Sequence, residues 1–144
     1  MSTQNYANHR RTDPGFHIVL FGLIVLTLGG SIVNLIRTVG RHSGIYSAAL
    51  IVVLTVVAAM ISGFCRMYAL KAQDRAIRAE ENLRHFVLTG KVLDPRIEIH
   101  QVIALRFAPD EEFVALAKRA AEESLTPDAI KQAVKNWRAD TYRV

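Results

Sequence analysis

The sequence predicts an all-α protein. The expected architecture is a two-helix transmembrane hairpin, with the second helix extending into the cytoplasm and leading to a small C-terminal helical bundle. Three observations predict it. Phe16 to Ile36 is 21 residues without a charge, taking His17 as neutral, and Gly44 to Cys65 is a further 22. Each makes a helix of about 32 Å, enough to cross a hydrocarbon core of about 30 Å. No proline or glycine marks the passage from this second stretch into the charged run ending at Phe86. Beyond Gly90 come short amphipathic segments with their own start signals. A chain of 144 residues is too small to wrap two helices that are apolar all round, which disfavours a pair of buried core helices.

Residues 1–15 read as a polar tail, with Asn5, Asn8, His9, Arg10 and Arg11 before Pro14-Gly15. Tyr6, Phe16 and His17 suit a membrane interface. Residues 16–36 are the first span. It is longer than a signal-peptide core, and its far end, Asn34-Leu35-Ile36-Arg37, has no small-x-small cleavage site. Arg10-Arg11 is followed by Thr12-Asp13-Pro14, not by the apolar run of a twin-arginine signal. A retained span is expected.

Residues 37–43 read as an external loop and 44–65 as the second span. Gly22, Gly29, Gly30 and Ser31 thin one side of the first helix, and Thr27, Ser31 and Asn34 share a face. Thr55, Ala59 and Gly63 repeat every four residues, the small-xxx-small pattern that lets backbones approach in lipid. The expected packing residues are therefore Gly22, Gly30, Ser31, Thr55, Ala59 and Gly63, either within the hairpin or between copies. Asn34 needs a partner across a helix or a shallow position near headgroups. Two spans with no internal Asp, Glu, Lys or Arg do not by themselves make an ion path.

Arg10 and Arg11, with Arg66, Lys71, Arg75, Arg78 and Arg84, set seven basic residues against Arg37 and Arg41 in the loop. That bias puts both termini in the cytoplasm and the protein in the cytoplasmic (inner) membrane. The net charge of +5 also suits anionic lipid headgroups, at about 1 kcal/mol per basic residue near the surface. The single cysteine, Cys65, excludes an internal disulfide, and packing is the preferred reading over palmitoylation.

Residues 66–89 continue the second helix. Cys65, Ala69, Ala72, Ala76, Ala79, Leu83 and Phe86 follow alternating spacings of four and three, an a/d seam of mostly alanine. Asp74–Arg78, Glu80–Arg84 and Glu81–His85 are acid-before-base pairs four apart. One helix is expected from about Ile45 to Leu88, stopped by Thr89-Gly90. The seam, Ala69 to Phe86, calls for a close partner helix: the protein's own C-terminal helices or another protomer.

Residues 90–144 read as a cytoplasmic bundle. Asp94-Pro95 suggests a capped start, with Ile99, Val102, Ile103 and Phe107 at helical spacing; residues 96–100 also alternate like a strand, and helix is preferred. Pro109 restarts the chain, with Asp110, Glu111 and Glu112 in the first turn and Phe113, Leu116, Ala117 and Ala120 as the stripe. Thr126-Pro127-Asp128 opens a last helix with Ile130, Val134 and Trp137 on one face and Lys131, Lys135 and Arg138 opposite.

No chemistry is spelled out. There is no Gly-rich phosphate loop, no His-Glu-x-x-His and no paired-Cys zinc spacing. His9, His17, His42, His85 and His100 are scattered. No nucleophile has a proposed base. A catalytic role, a metal and a cofactor are not expected. Nucleic-acid binding is not expected either, since acids at 110–112, 122 and 123 interrupt any basic patch.

Four segments carry a family resemblance: QNYANHRR at 4–11, ALKAQDRAIRAEENLR at 69–84, QVIALRFAPDEE at 101–112 and IKQAVKNWRADTYRV at 130–144. They resemble a family of small bacterial two-span membrane proteins classed only as a domain of unknown function. The resemblance implies a hairpin with a cytoplasmic helical tail, and it implies no activity. It points to the interfacial polar groups and the last helix, with Asn136, Trp137 and Arg138 its most specific motif, more than to the spans, as the seat of specificity; the residues themselves add Asn34 as a candidate contact. The expected role is structural or interactive: an anchor, a small accessory subunit or a homo-oligomer, partnered by itself or by another membrane protein. The alternative is a component of an oligomeric transport or lipid-handling assembly.

Overall fold

The structure, a computed structural model, describes residues 4–8, 12–41 and 43–140. His9, Arg10, Arg11 and His42, which bear on orientation and on any histidine ligand set, lie outside the described residues, as do the ends of the 4–11 and 130–144 segments. The described chain is all-helical, without strands. It divides into two compact units: residues 12–69, and residues 70–140 together with residues 4–8.

The first unit begins with a π-helical turn, Gly15–Leu20, that leads directly into α1, Phe21–Arg41. Asp13 starts it. Its carboxylate accepts from the Phe16 amide at 3.1 Å, satisfying one orphan donor of the first turn. α1 runs through Arg37 to Arg41, so most of the segment that the sequence predicts as a loop over 37–43 is helical, and Ser43 and Gly44 form a bend before the next helix. Two local effects favour the extra turn: Arg41 in the last turn suits a helix C-terminus, and the chain can reverse at Gly44, whose φ is +74°.

α2, Ile45–Thr89, is one helix of 45 residues, about 68 Å long. Only 6% of the apolar window in the first helical stretch and 11% of that in α2 is buried. They are therefore not core helices of a globular fold, and both are long and apolar enough to cross a membrane. Ser31, Ala48 and Thr55 are buried; Gly22 and Ala59 are half-buried; Thr27, Gly30, Asn34 and Gly63 are exposed. The Ser31 and Thr55 hydroxyls donate to the Leu28 and Ile51 carbonyls of their own helices, which satisfies them without water. At the polar end of the first unit, Arg66 lies over the Phe16 ring, 5.5 Å from its centre.

α2 ends where Thr89-Gly90 indicates. Gly90 has φ +74° and its amide donates to Phe86 O at 2.7 Å. The three acid–base pairs expected along the helix do not form. Arg78 donates to Ile97 O, His85 Nδ1 contacts Lys91 O, and Arg84 turns to Glu81 and Asp110. An i,i+4 pair is worth about 0.2–0.5 kcal/mol, less than a hydrogen bond to a carbonyl that would otherwise be stranded in the bundle.

The bundle comprises α3 (Ile99–Leu105), α4 (Asp110–Glu122) and α5 (Pro127–Ala133). Its core holds Leu105, Phe113, Ile130 and Val102, with Ile77 of α2. Asp94-Pro95 does not cap α3. It makes a tight turn, with the Arg96 amide on the Asp94 carboxylate and the Ile97 amide on the Asp94 carbonyl. The helix starts four residues later through a capping box between Glu98 and Gln101. α4 matches its expected start and stripe, with Phe113, Leu116, Ala117 and Ala120 buried. α5 starts at the Thr126 cap, but it stops at Ala133 instead of running through Trp137. Residues 134–140 leave the helix, with a bend at Lys135 and Asn136, and the Lys135, Asn136, Arg138 and Asp140 amides find acceptors elsewhere.

A candidate interaction site on the polar unit

Two neighbouring features give the second unit its distinctive chemistry. The first is an ion-pair network around Arg84. Its Nε donates to Asp110 at 2.6 Å, one terminal nitrogen to Glu81 at 3.0 Å, and the other to Ala108 O at 2.8 Å. The guanidinium also lies 4.2 Å from the centre of the Phe113 ring. All three nitrogens and one face of this cation are therefore used, as a planar donor fork allows and an ammonium would not. Arg84 and Glu81 are 12% and 7% exposed at the side chain, so the pair is stable only because each charge is met. The second oxygen of Glu81 is 3.8 Å from Arg138. The network opens onto a cleft of about 550 Å³, rimmed by the exposed carboxylates of Glu80 and Glu111.

The second feature is the non-helical strap, residues 134–140. The Glu112 carboxylate accepts the Lys135 amide at 2.9 Å, the Asn136 amide at 3.0 Å and the Asn136 side-chain amide at 2.9 Å. These donors, the Lys135 amide first, hold the Glu112 pKa below its ordinary value. Trp137 lies on Phe107 with ring centres 4.9 Å apart. The Arg138 amide donates to Phe107 O at 2.8 Å. Asp140 pairs with the buried Arg106 at 3.2 Å, and its amide donates to the Gln4 side-chain oxygen at 2.8 Å. The strap thus joins the start of the described chain to its end.

The Asn136, Trp137 and Arg138 segment marked in the sequence is therefore an internal clasp, with Trp137 half-buried and Arg138 alone among the three reaching the cleft. Asn34 is exposed in the other unit. The alanine seam is placed differently from the bundle. Ile77 and Glu81 are buried and Arg84 and His85 half-buried on one face of α2, whereas Ala72, Ala76, Ala79, Leu83 and Phe86 are exposed and Ala69 is half-buried. The residues that dock the bundle are those at positions b, c and f of the same heptad. One signal for this was present: Ile77 is the single large aliphatic between Leu70 and Leu83.

The arrangement binds charge and orders backbone. Among the described residues no group of three or more His, Cys, Asp or Glu side chains is placed to hold a metal ion. No curated protein and no solved structure matches the chain. A family model does match, over residues 1–144. On that match over its whole length, the chain belongs to a family of unknown function, DUF6526.

Proposed function

We propose that the protein is an integral membrane protein with a structural or interactive role, an anchor or accessory subunit whose folded polar unit presents the contact surface. The observation that carries this reading is α2 itself. One uninterrupted helix joins an apolar stretch, almost wholly unburied, to a charged stretch that builds a packed core through Ile77. A surface that apolar has no stable place in water, and a core that complete has no reason to enter lipid. We assign no catalytic role: the charged side chains of the network are engaged with one another. Nucleic acid is not a proposed partner.

Both termini belong on one side of the membrane in this reading, because Gln4 and Asp140 are hydrogen-bonded. The basic residues after the second apolar stretch make that side the cytoplasm of the inner membrane. Exposed Lys71 and Arg75 would meet anionic headgroups.

The test is extraction and labelling. The protein is expected to resist alkaline carbonate and to dissolve in mild detergent. In a Cys65→Ala background, Ser43→Cys should react with an impermeant maleimide on intact cells, and Ser124→Cys only after lysis. Release by carbonate would refute the membrane reading. Labelling of both sites from one side would refute the hairpin.

A further inference from the structure

We propose that the free face of α2 between Ala72 and Val87 docks a second copy of this chain as a parallel, in-register helix pair. The inference rests on the membrane reading above. The bundle occupies positions b, c and f of α2, through Ile77, Glu81, Arg84 and His85. The opposite a/d face stays uncovered, and it is not only small residues: Leu83 is 64% exposed and Phe86 51%, and Val87, at the flanking e position, is 74% exposed. Large apolar groups clustered on a segment that faces water mark an association surface. The spacing is that of a two-stranded coiled coil, whose a and d residues meet the same residues of an identical helix.

Charge selects the occupant. With Ala76 and Leu83 at a, Arg75 falls at g and Glu80 at e. In a parallel pair, g of one helix faces the following e of the other. Arg75 then meets Glu80 of the second copy, twice by symmetry. Both are exposed, and neither makes an ion pair among the described residues. Two copies inserted in one membrane with the same orientation run parallel of necessity, so the geometry that joins these charges is the one that the membrane imposes. The alanines at 72, 76 and 79 let the two backbones come close, and Leu83 and Phe86 close the end of the seam.

The experiment is oxidative cross-linking of the full chain in native membranes, in the Cys65→Ala background. Ala79→Cys and Leu83→Cys should give a disulfide-linked homodimer, and Lys71→Cys, at position c, should not. Arg75→Glu should lower the dimer yield about fivefold through two lost pairs, and Arg75→Glu with Glu80→Arg should restore it. Ala76→Glu should abolish dimer while leaving the bundle folded, because Ala76 is outside the core. Equal cross-linking at Lys71→Cys, an adduct with a different protein, or no adduct at all would overturn the proposal. Carbonate extraction of the same membranes separates the two readings: a retained but monomeric protein removes only the dimer, and a released one removes both.

Discussion

Arg84 and Glu112 show how single residues hold the polar unit together. Arg84→Leu keeps the stem that covers Phe113 but strands Glu81, which is 7% exposed and left with Arg138 at 3.8 Å. A loss of about 3 kcal/mol is expected, the lower end for a broken buried pair because Arg138 stays near Glu81; thermal unfolding in detergent reads it. Glu112 acts through its charge state. Its folded-state pKa is depressed by the amides that it accepts, so the stability it adds is present above the ordinary glutamate value of about 4.3. That stability is lost as pH falls through the lower folded-state value. Trp137 is the only tryptophan and sits in the strap. Its emission should shift to the red over that acid range, and Glu112→Gln should remove the titration step. A Trp137 signal that ignores both would show that the strap is held by other contacts. Asp94, held at about 2 by Arg96 beside it, is half-buried, makes no contact with the strap and should not report on this transition.

The helices differ in how far local sequence determines them. α4 was legible from Pro109, three acids in the first turn and a stripe at period 3.6, because all of its signals are its own. The end of α2 was legible for the same reason. Gly90 stands at φ +74° with open space where a Cβ would go, so Gly90→Ala should cost about 1 kcal/mol from backbone strain alone. Gly90→Asn should cost less; equal stability of Gly90→Ala in melting experiments would mean that the turn relaxes. The end of α5 was not legible. Its periodicity runs on through Trp137, and what stops it is the Glu112 carboxylate in another helix. The start of α3 was misplaced because Asp94-Pro95 serves a turn as well as it serves a cap.

At the scale of the molecule, hydropathy located the two helices that are long and apolar enough to cross a membrane, since that property is summed over many residues and survives local error. Which face of α2 the bundle takes was not readable. Seven alternating positions mark a seam for a close partner helix, the protein's own or another protomer's, and of these two the bundle does not take it: it docks beside the seam through Ile77, which reaches the core. A long-range arrangement such as Arg84 with Asp110, 26 residues apart, leaves no periodic trace in the chain. The same holds for Gln4 and Asp140.

That last hydrogen bond spans 136 residues, and it sets an order of events during synthesis. Gln4 is made first and must wait while both apolar stretches are delivered. At about 5–20 residues per second its partner emerges roughly 7–30 s later. The bundle core can form as α4 and α5 appear, but the clasp over it closes only after translation has passed Asp140. Until then Phe107 lacks its cover, and a chaperone or a neighbouring chain has a window in which to reach it.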